Sequence, residues 1–456
     1  MESRSSKPSG HNDLATAPWQ VEEGDDTTSD HYDAVGWIGT SALMIKAQIG
    51  LGVLAIPQSF DVLGIVPGVI TLCAVAVITT WSNYIVGVFK LRHPEVYSID
   101  DVGAMLFGRA GREILASAFV LYCTFAAGSM MLGISVGLNA VSMHGTCTAV
   151  FVAVAAIVGG SFACIQTLGR MSWLALVGVM SLIVAVVMVT IAVGIQDRPA
   201  AAPQEGPFKS DFKVIGDPSF VEAVTAITTF VFSYAGTPAF FSLAAEMRSP
   251  QQYGRSLFLC QAIVTIIYLG IGCVVYYFCG SYVASPALGS AGPLIKKISY
   301  GIAIPGLIAT EMLIIHIAGK YLFIRFLRNT KHLTANTFTH WATWLSCVLG
   351  VTITAYVIAS AIPIFGSLTS FIGALFGTLM SFQPMGCMWL YDNWSSDKRK
   401  RDLRWYLMVI WSLFVIISGT FLMVTGTYGS IVGIIDSYKK DGGSKAWACA
   451  DNSNSV

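Results

Sequence analysis

Apolar residues along this chain fall in long unbroken runs, separated by short segments that hold almost all of the charge. Runs of about 20 apolar residues are long enough to cross a bilayer as helices. Eleven spans are predicted: 38–60, 63–86, 113–141, 148–165, 172–195, 219–245, 257–279, 301–324, 338–360, 363–390 and 405–428. The weakest is 148–165, which is short and carries Gly159 and Gly160. Residues 1–35 are polar and read as a disordered cytoplasmic tail. Residues 36–428 form the membrane domain, and 429–456 a non-cytoplasmic tail.

Composition agrees with the pattern. With 54% hydrophobic and 12% charged residues, the chain is far from the roughly 25% charged of a soluble domain. An all-α polytopic membrane protein is the fold class. No basic patch is interleaved with aromatics, so no nucleic-acid partner is expected. The ten cysteines show no metal-ligand spacing, and neither a metal nor a cofactor is expected. Cys147 and Cys279 both fall near predicted outside ends of spans, where a disulfide and two free thiols remain open alternatives. No nucleophile–base pair or nucleotide loop is visible, and Gly50-Leu51-Gly52 lacks the strand and third glycine of a dinucleotide site, so an enzyme is not expected. No cleavable signal precedes the first span. Lys and Arg number sixteen in the loops on the N-terminal side and eight on the other, which places the N-terminus in the cytoplasm and the C-terminus outside.

Two stretches interrupt their spans. Ile49 to Pro57 carries Gly50, Gly52 and Pro57 inside span one, and Ser233 to Pro238 carries Gly236 and Pro238 inside span six. In lipid, such a break survives only where freed backbone groups face protein or a water-filled cavity. Small residues also mark tight helix packing, so one break alone is ambiguous. Paired breaks in the first helices of two five-helix halves are more specific. They suggest an inverted repeat, 36–195 and 219–390, with an extra helix at 405–428 and a site where the breaks meet.

These two stretches, with Met44-Ile45-Lys46-Ala47-Gln48, Tyr97-Ser98-Ile99-Asp100-Asp101-Val102-Gly103 and Glu246-Met247-Arg248, resemble the amino acid/auxin permease family. The resemblance is nearest to fungal neutral amino-acid permeases of the methyltryptophan-resistance type and spans about residues 36–428. It implies a leucine-transporter-type five-plus-five fold, proton-coupled uptake of neutral amino acids and the plasma membrane, with the vacuolar membrane as alternative. Many relatives carry His where this chain has Thr237, so a proton role at that position does not transfer.

An amino-acid zwitterion needs two complementary ends. In the break that begins at Ile49, the backbone amides of Gly50, Leu51 and Gly52 would hold its carboxylate. Carbonyls around Phe232, Ser233 and Tyr234, in the break that continues through Ala235, Gly236 and Thr237, would accept from its ammonium. Phe232, Tyr234 and Tyr122 would face its side chain, although Tyr122 is equally a packing residue. No acidic residue falls in either break, which favours neutral substrates.

Three residues are coupling candidates. Glu311 is a lone mid-span carboxyl able to alternate between protonated and ionised forms, Thr310 beside it is a polar ligand candidate, and Lys46 either functions or snorkels. His316 lies about 140° around the same helix from Glu311, so the two do not share a face. The basic run Lys398 to Arg401 suits anionic lipid, and Asn393-Trp394-Ser395, on the cytoplasmic side, is expected to be unglycosylated. A sodium-coupled or vacuolar transporter, a transporter-like sensor and a channel are the alternatives, and oligomeric state is not legible.

Overall fold

The computed structural model describes residues 36–166, 168–199, 201–203, 205–245, 247–328, 330–333, 335–394, 402–440, 447 and 449–453, except the side chains of 168–176 and 440. The 1–35 tail, Glu246, Ser395 and the basic run 398–401 lie outside the described residues. The regular elements are helices: α1 Trp37–Gln48, α2 Ile56–Leu63, α3 Ile65–Arg92, α4 Ile99–Ser142, α5 Thr148–Ala163, α6 Leu168–Ile195, α7 Phe220–Ser233, α8 Thr237–Ala245, α9 Tyr253–Cys279, α10 Pro293–Leu327, α11 Phe338–Ala361, α12 Phe365–Ile372, α13 Thr378–Ser381, α14 Gln383–Trp394 and α15 Leu403–Lys440.

Among the described residues, nine helical segments are long and apolar enough to cross a membrane, and ten if the pair bent by 49° between Gln48 and Leu51 counts as one. At 16 residues α5 falls short of that length. Large apolar side chains stay exposed around the outside, such as Ile70 and Val77 of α3 and Ile410 and Ile417 of α15, as a lipid-facing wall requires.

Local chemistry sets the ends. Ser219 and Glu222 form a reciprocal capping box that starts α7. Asp101 accepts from the amides of Tyr97 (3.1 Å) and Ser98 (3.3 Å), which starts α4 fourteen residues before the expected span. The stretch Tyr97 to Gly103 is therefore largely the capped first turns of a helix rather than a loop, and Gly108, at φ +66°, kinks that helix before it enters the apolar run. The span expected over 363–390 runs from Phe365 to Trp394 and contains a π turn at Gly373–Gly377 between α12 and α13. The last helix continues to Lys440, so the segment after 428 begins as helix. The loop before α7 returns to the α2–α3 corner, where Ile65 and Val66 donate to the carbonyls of Lys213 and Val214 (both 3.0 Å).

Packing divides most of the helices into two groups. In the first, α1 lies on α9, α2 on α7 and α9, and α3 on α8 and α9. In the second, α4, α5, α10 and α11 pack on one another. α6 lies on α10 and α9 and so touches both groups. The disulfide is not between Cys147 and Cys279. Cys147 pairs with Cys449, and Cys279 is a buried free thiol.

Candidate functional site

The first interruption begins earlier than its proline. α1 ends at Gln48, Ile49 is extended (φ −75°, ψ 97°), Gly50 takes φ −138°, ψ −144°, and Leu51–Ala55 forms a tight 3-10 turn. Pro57 occupies the first turn of α2, where a missing amide hydrogen costs nothing. Pro238 likewise sits in the first turn of α8, after a break at Tyr234, Ala235 and Gly236. The prolines start the second halves, and the glycines lie where the chain leaves the helix.

The two breaks touch. A Cβ on Gly52 would stand 2.6 Å from Ser233 Cα, and one on Gly236 would stand 2.8 Å from Gln48 Cγ. Only hydrogen at those positions allows the backbones to approach this closely. Ser233 Oγ donates towards the carbonyl of Gly52 (3.0 Å) and, alternatively, Thr229 of its own helix (3.0 Å). Ile49, Leu51, Gly52, Phe232, Ser233, Tyr234, Ala235, Gly236 and Thr237 are all buried, while Gly50 and Tyr122 are half-buried.

Side chains from neighbouring helices hold the freed carbonyls. Tyr268 of α9, fully buried, places its hydroxyl 3.0 Å from the Gln48 carbonyl and 2.8 Å from the Ser233 carbonyl. A tyrosine hydroxyl has one proton, so one hydrogen is shared between the two breaks. Tyr122 of α4 donates to the Ala235 carbonyl at 2.6 Å. Tyr234 is committed elsewhere, donating to Thr265 Oγ1 at 3.0 Å, with its ring 5.1 Å from that of Tyr268. Sequence reading missed Tyr268 and Gln48. A polar side chain in mid-span that must find a partner in lipid was the available signal.

Polar capacity remains open around the breaks. Gln48 Nε2, Thr237 Oγ1 and both amide atoms of Gln261 are buried without a hydrogen-bond partner among the described residues. Lys46, in the last turn of α1, is half-buried and is the ionisable side chain nearest the first break along the chain. Met130 and Gly133 of α4 back this break, against Gly50 and the Leu51 side chain respectively. A groove of about 520 Å³ between α4, α10 and α11, lined by Leu121, Phe326 and Gly350 among others, lies on the outer face and does not border the breaks.

Glu311 is not brought to the breaks. It lies on α10 in the second helix group, with no exposed surface and no hydrogen-bond partner for either carboxyl oxygen among the described residues. Its carboxyl faces α5, where a Cβ on Gly159 would come within 2.5 Å of it. Thr352 of α11 stands in the same way against Gly160. Thr310 donates back to the Gly306 carbonyl of its own helix at 2.9 Å. His316 Nδ1 lies 3.2 Å from the Ala163 carbonyl, and Trp344 Nε1 donates to Cys164 at 2.8 Å, so both cap the end of α5.

Outside the helices, Asp211 pins the loop before α7. It accepts from Ser281 N (2.8 Å) and Ser281 Oγ (2.6 Å). Partial burial works against its charge, but those bonds and the Lys213 cation hold the carboxyl below its ordinary value.

The profile of the family described as "Transmembrane amino acid transporter protein" matches residues 33–432. A "Transmembrane transporter" of Fusarium pseudograminearum is 32% identical over 427 residues, covering 93% of this chain and 89% of the relative. The "N amino acid transport system protein" of Neurospora crassa is 33% identical over 426 residues, covering 92% and 89%. Among solved structures, the inward-facing conformation of Mhp1 superposes with a TM-score of 0.56 at 15% identity, covering 90% of this chain and 91% of that one. Mhp1 in a closed conformation with bromovinylhydantoin bound, described as a nucleobase-cation-symport-1 family transporter, gives 0.53 at 13%, covering 89% and 92%. The chain thus shares the leucine-transporter-like fold of Mhp1.

Proposed function

The chain belongs to the transmembrane amino acid transporter family, and from that premise we propose that it carries neutral amino acids together with a proton by alternating access. The observation that carries this reading is the contact between two interrupted helices, Gly52 on Ser233 and Gln48 on Gly236, with one tyrosine proton shared across them. Helix interruptions that meet inside a bundle give a zwitterion both of its partners in one small volume.

In this reading the amides of Gly50, Leu51 and Gly52 take the substrate carboxylate. Backbone carbonyls of Phe232, Ser233 and Tyr234 take the ammonium, and Ser233 is freed whenever the Tyr268 proton turns to Gln48. Phe232 and Tyr122, which donates to Ala235, border the substrate side chain, whereas the buried Tyr234 braces α9. No acidic side chain lies in either break, which supports neutral substrates. The printed name of the Neurospora relative supports an amino acid as cargo.

Glu311 is the proton carrier. An ionised carboxylate would have no hydrogen-bond partner among the described residues, so it holds a proton in this conformation. It acts across the frame rather than by touching substrate: α10 packs on α4, and α4 in turn backs the first break through Met130 and Gly133. Lys46 and Thr310 are secondary candidates. Eleven spans with α5 counted, a five-plus-five inverted repeat, a cytoplasmic N-terminus, an outside C-terminus and the plasma membrane complete the proposal.

The test is uptake of labelled neutral amino acids into proteoliposomes across a pH gradient, with and without sodium, for the wild type and Glu311→Gln. Uptake driven by the proton gradient is expected in the wild type and lost in the variant. Sodium-driven uptake indifferent to pH would overturn proton coupling, and unchanged proton dependence in Glu311→Gln would remove that residue from it.

A further inference from the structure

The roles above leave one piece of chain unused, at the end of the molecule where α4 finishes and α5 and α10 begin. Cys449 is bonded to Cys147, the residue before α5, across 302 positions. Its neighbours add contacts to four helices or their ends. The Ala450 carbonyl accepts from Thr148 Oγ1 (2.6 Å), and Asn452 Oδ1 accepts from Asn139 Nδ2 (2.7 Å). Asn452 Nδ2 donates to Ser135 Oγ (3.1 Å), and Lys296 Nζ donates to the Ser453 carbonyl (2.5 Å). The Trp447 amide donates to the Ser360 carbonyl (3.1 Å). Asn139 and Ser135 have no exposed surface, and Lys296 is 6% exposed. The tail thus reaches buried helix-end side chains through Asn452 and the buried Ser453, while Cys449 and Ala450 stay exposed.

Helical phase shows which side of α4 the tail meets. Gly133 is the α4 residue against Leu51 of the first break. At about 100° per residue, Ser135 and Asn139 lie about 200° and 240° around α4 from it. The tail therefore grips the side of α4 turned away from the breaks.

What it fastens is α5. That helix has no side-chain cap at its start and, at 16 residues, is about 24 Å long against a hydrocarbon core of about 30 Å. Its ends must be held by protein. His316 and Trp344 hold one end, and the tail, through Cys449 and Ala450, holds the other. Between them lies Gly159, over the carboxyl of Glu311.

We propose that Cys449–Ser453 is a strap that positions α5 as the cover of Glu311, so that the carboxyl is sealed while the strap is fastened and becomes reachable when it is released. This rests on the reading of Glu311 given above. α5 itself brings no ionisable side chain to the enclosure, nor does α6 from Val177 to Ile195. On α10, His316 turns to Ala163. On α11, His340 lies between the His332 carbonyl and Gln166. On α4, Tyr122 donates to Ala235.

The test labels the full chain in lipid nanodiscs with dicyclohexylcarbodiimide, which adds to a protonated carboxyl without losing a group, and reads the adduct by peptide mass spectrometry. Disulfide reduction uses a water-soluble phosphine: the phosphine and water supply two electrons and two protons, leaving two thiols and the phosphine oxide. Reduction is expected to raise the Glu311 adduct about tenfold, equivalent to about 1.4 kcal/mol of local opening. Cys147→Ser is expected to show the raised level with or without reductant, while the adduct at exposed Glu222 stays constant. An unchanged Glu311 adduct, with alkylation proving both thiols free, would overturn the strap. Should the reduced protein lose its melting transition, Asn452→Ala with the disulfide intact decides, and no rise there overturns the proposal. Labelling in the oxidised protein as fast as in unfolded chain would also overturn it, because no seal would exist. Unchanged proton dependence in Glu311→Gln would instead remove the proton role and leave the strap standing.

Discussion

The helices that carry the breaks and the frame of α4, α5, α10 and α11 are held together by different kinds of contact. Across the breaks, the close approaches at Gly52 and Gly236 are joined by hydrogen bonds to freed carbonyls: Ser233 on Gly52, Tyr268 on Gln48 and Ser233, Tyr122 on Ala235. Inside the frame, small residues let helix faces interlock, with Gly128 against Ala355, Gly319 against Val348 and Gly159 against Glu311, and a covalent strap closes one end. A hydrogen bond that trades one carbonyl for another changes energy by little, whereas sliding an interlocked face loses many dispersion contacts together. In the alternating access proposed above, the broken helices are therefore the part that moves, and the frame is the part that stays.

The largest effect that would test this difference is a wedge between the breaks. In Gly52→Val the added atoms meet Ser233 Cα, which is backbone and cannot rotate away. Overpacking of this kind costs about 1–3 kcal/mol even in a core that adapts. Here it also forces the two interruptions apart, and uptake in proteoliposomes is expected to fall below detection. Gly350→Ala on α11, where a Cβ meets nothing within 4 Å, is the control and should transport as the wild type does. Normal uptake by Gly52→Val would mean that the breaks need not approach.

Tyr268→Phe comes next. It removes the one proton that the Gln48 and Ser233 carbonyls share, a loss of about 1–3 kcal/mol for the one acceptor no longer satisfied. The expected outcome is a drop in maximal uptake rate of about tenfold, with the frame's hydrogen-exchange protection unchanged. An equal loss of protection in both groups would show that the two do not move apart.

How much of this was legible in the sequence follows from the same contrast. The interruptions at 49–50 and 234–236 could be read because glycine and proline punctuate an apolar run whatever surrounds it. The π turn at Gly373–Gly377 was not read, since its glycines are not adjoined by a proline and a π turn has no distinct composition. Tyr268 looked like one more aromatic in a span, because nothing local says that two carbonyls from distant helices converge on it. Glu311 was singled out as a lone carboxyl, but its direction depends on how α10 is rotated, and its carboxyl lies against Gly159 of another helix. The partner of Cys147 lies 302 residues away, beyond any inference from spacing, so the nearer-looking Cys279 was considered instead.

A double-mutant cycle sharpens the frame side. Gly159→Ala places a methyl against the Glu311 carboxyl and is expected to cost about 1–3 kcal/mol in melting experiments. Glu311→Ala opens space at the same point. The pair should show a coupling energy of about 1 kcal/mol or more, because each change relieves the other. Strict additivity would place the two side chains apart and remove α5 as the cover.

The smallest effect lies at Asp211, which ties the loop before α7 to the end of α9 and so belongs to the broken-helix side. Its folded-state carboxyl titrates below its unfolded value: partial burial opposes the charge, but Ser281 and Lys213 outweigh it. A group depressed in this way contributes stability that is present above its unfolded value, about 3.9, and disappears as pH falls through the folded one. Acid should therefore loosen this loop first, seen as faster hydrogen exchange in residues 210–216 and 280–284, while frame peptides at 128–137 and 352–359 keep their protection. At neutral pH, Asp211→Asn keeps an acceptor for Ser281 and should lower the melting temperature by only about 1 °C. Once pH has fallen below the folded-state value it should behave as the wild type does, because the charge it lacks is then absent from both. If the frame peptides exchange as early as the loop does, the two groups are not separate in stability, and the division between moving and fixed helices fails with them.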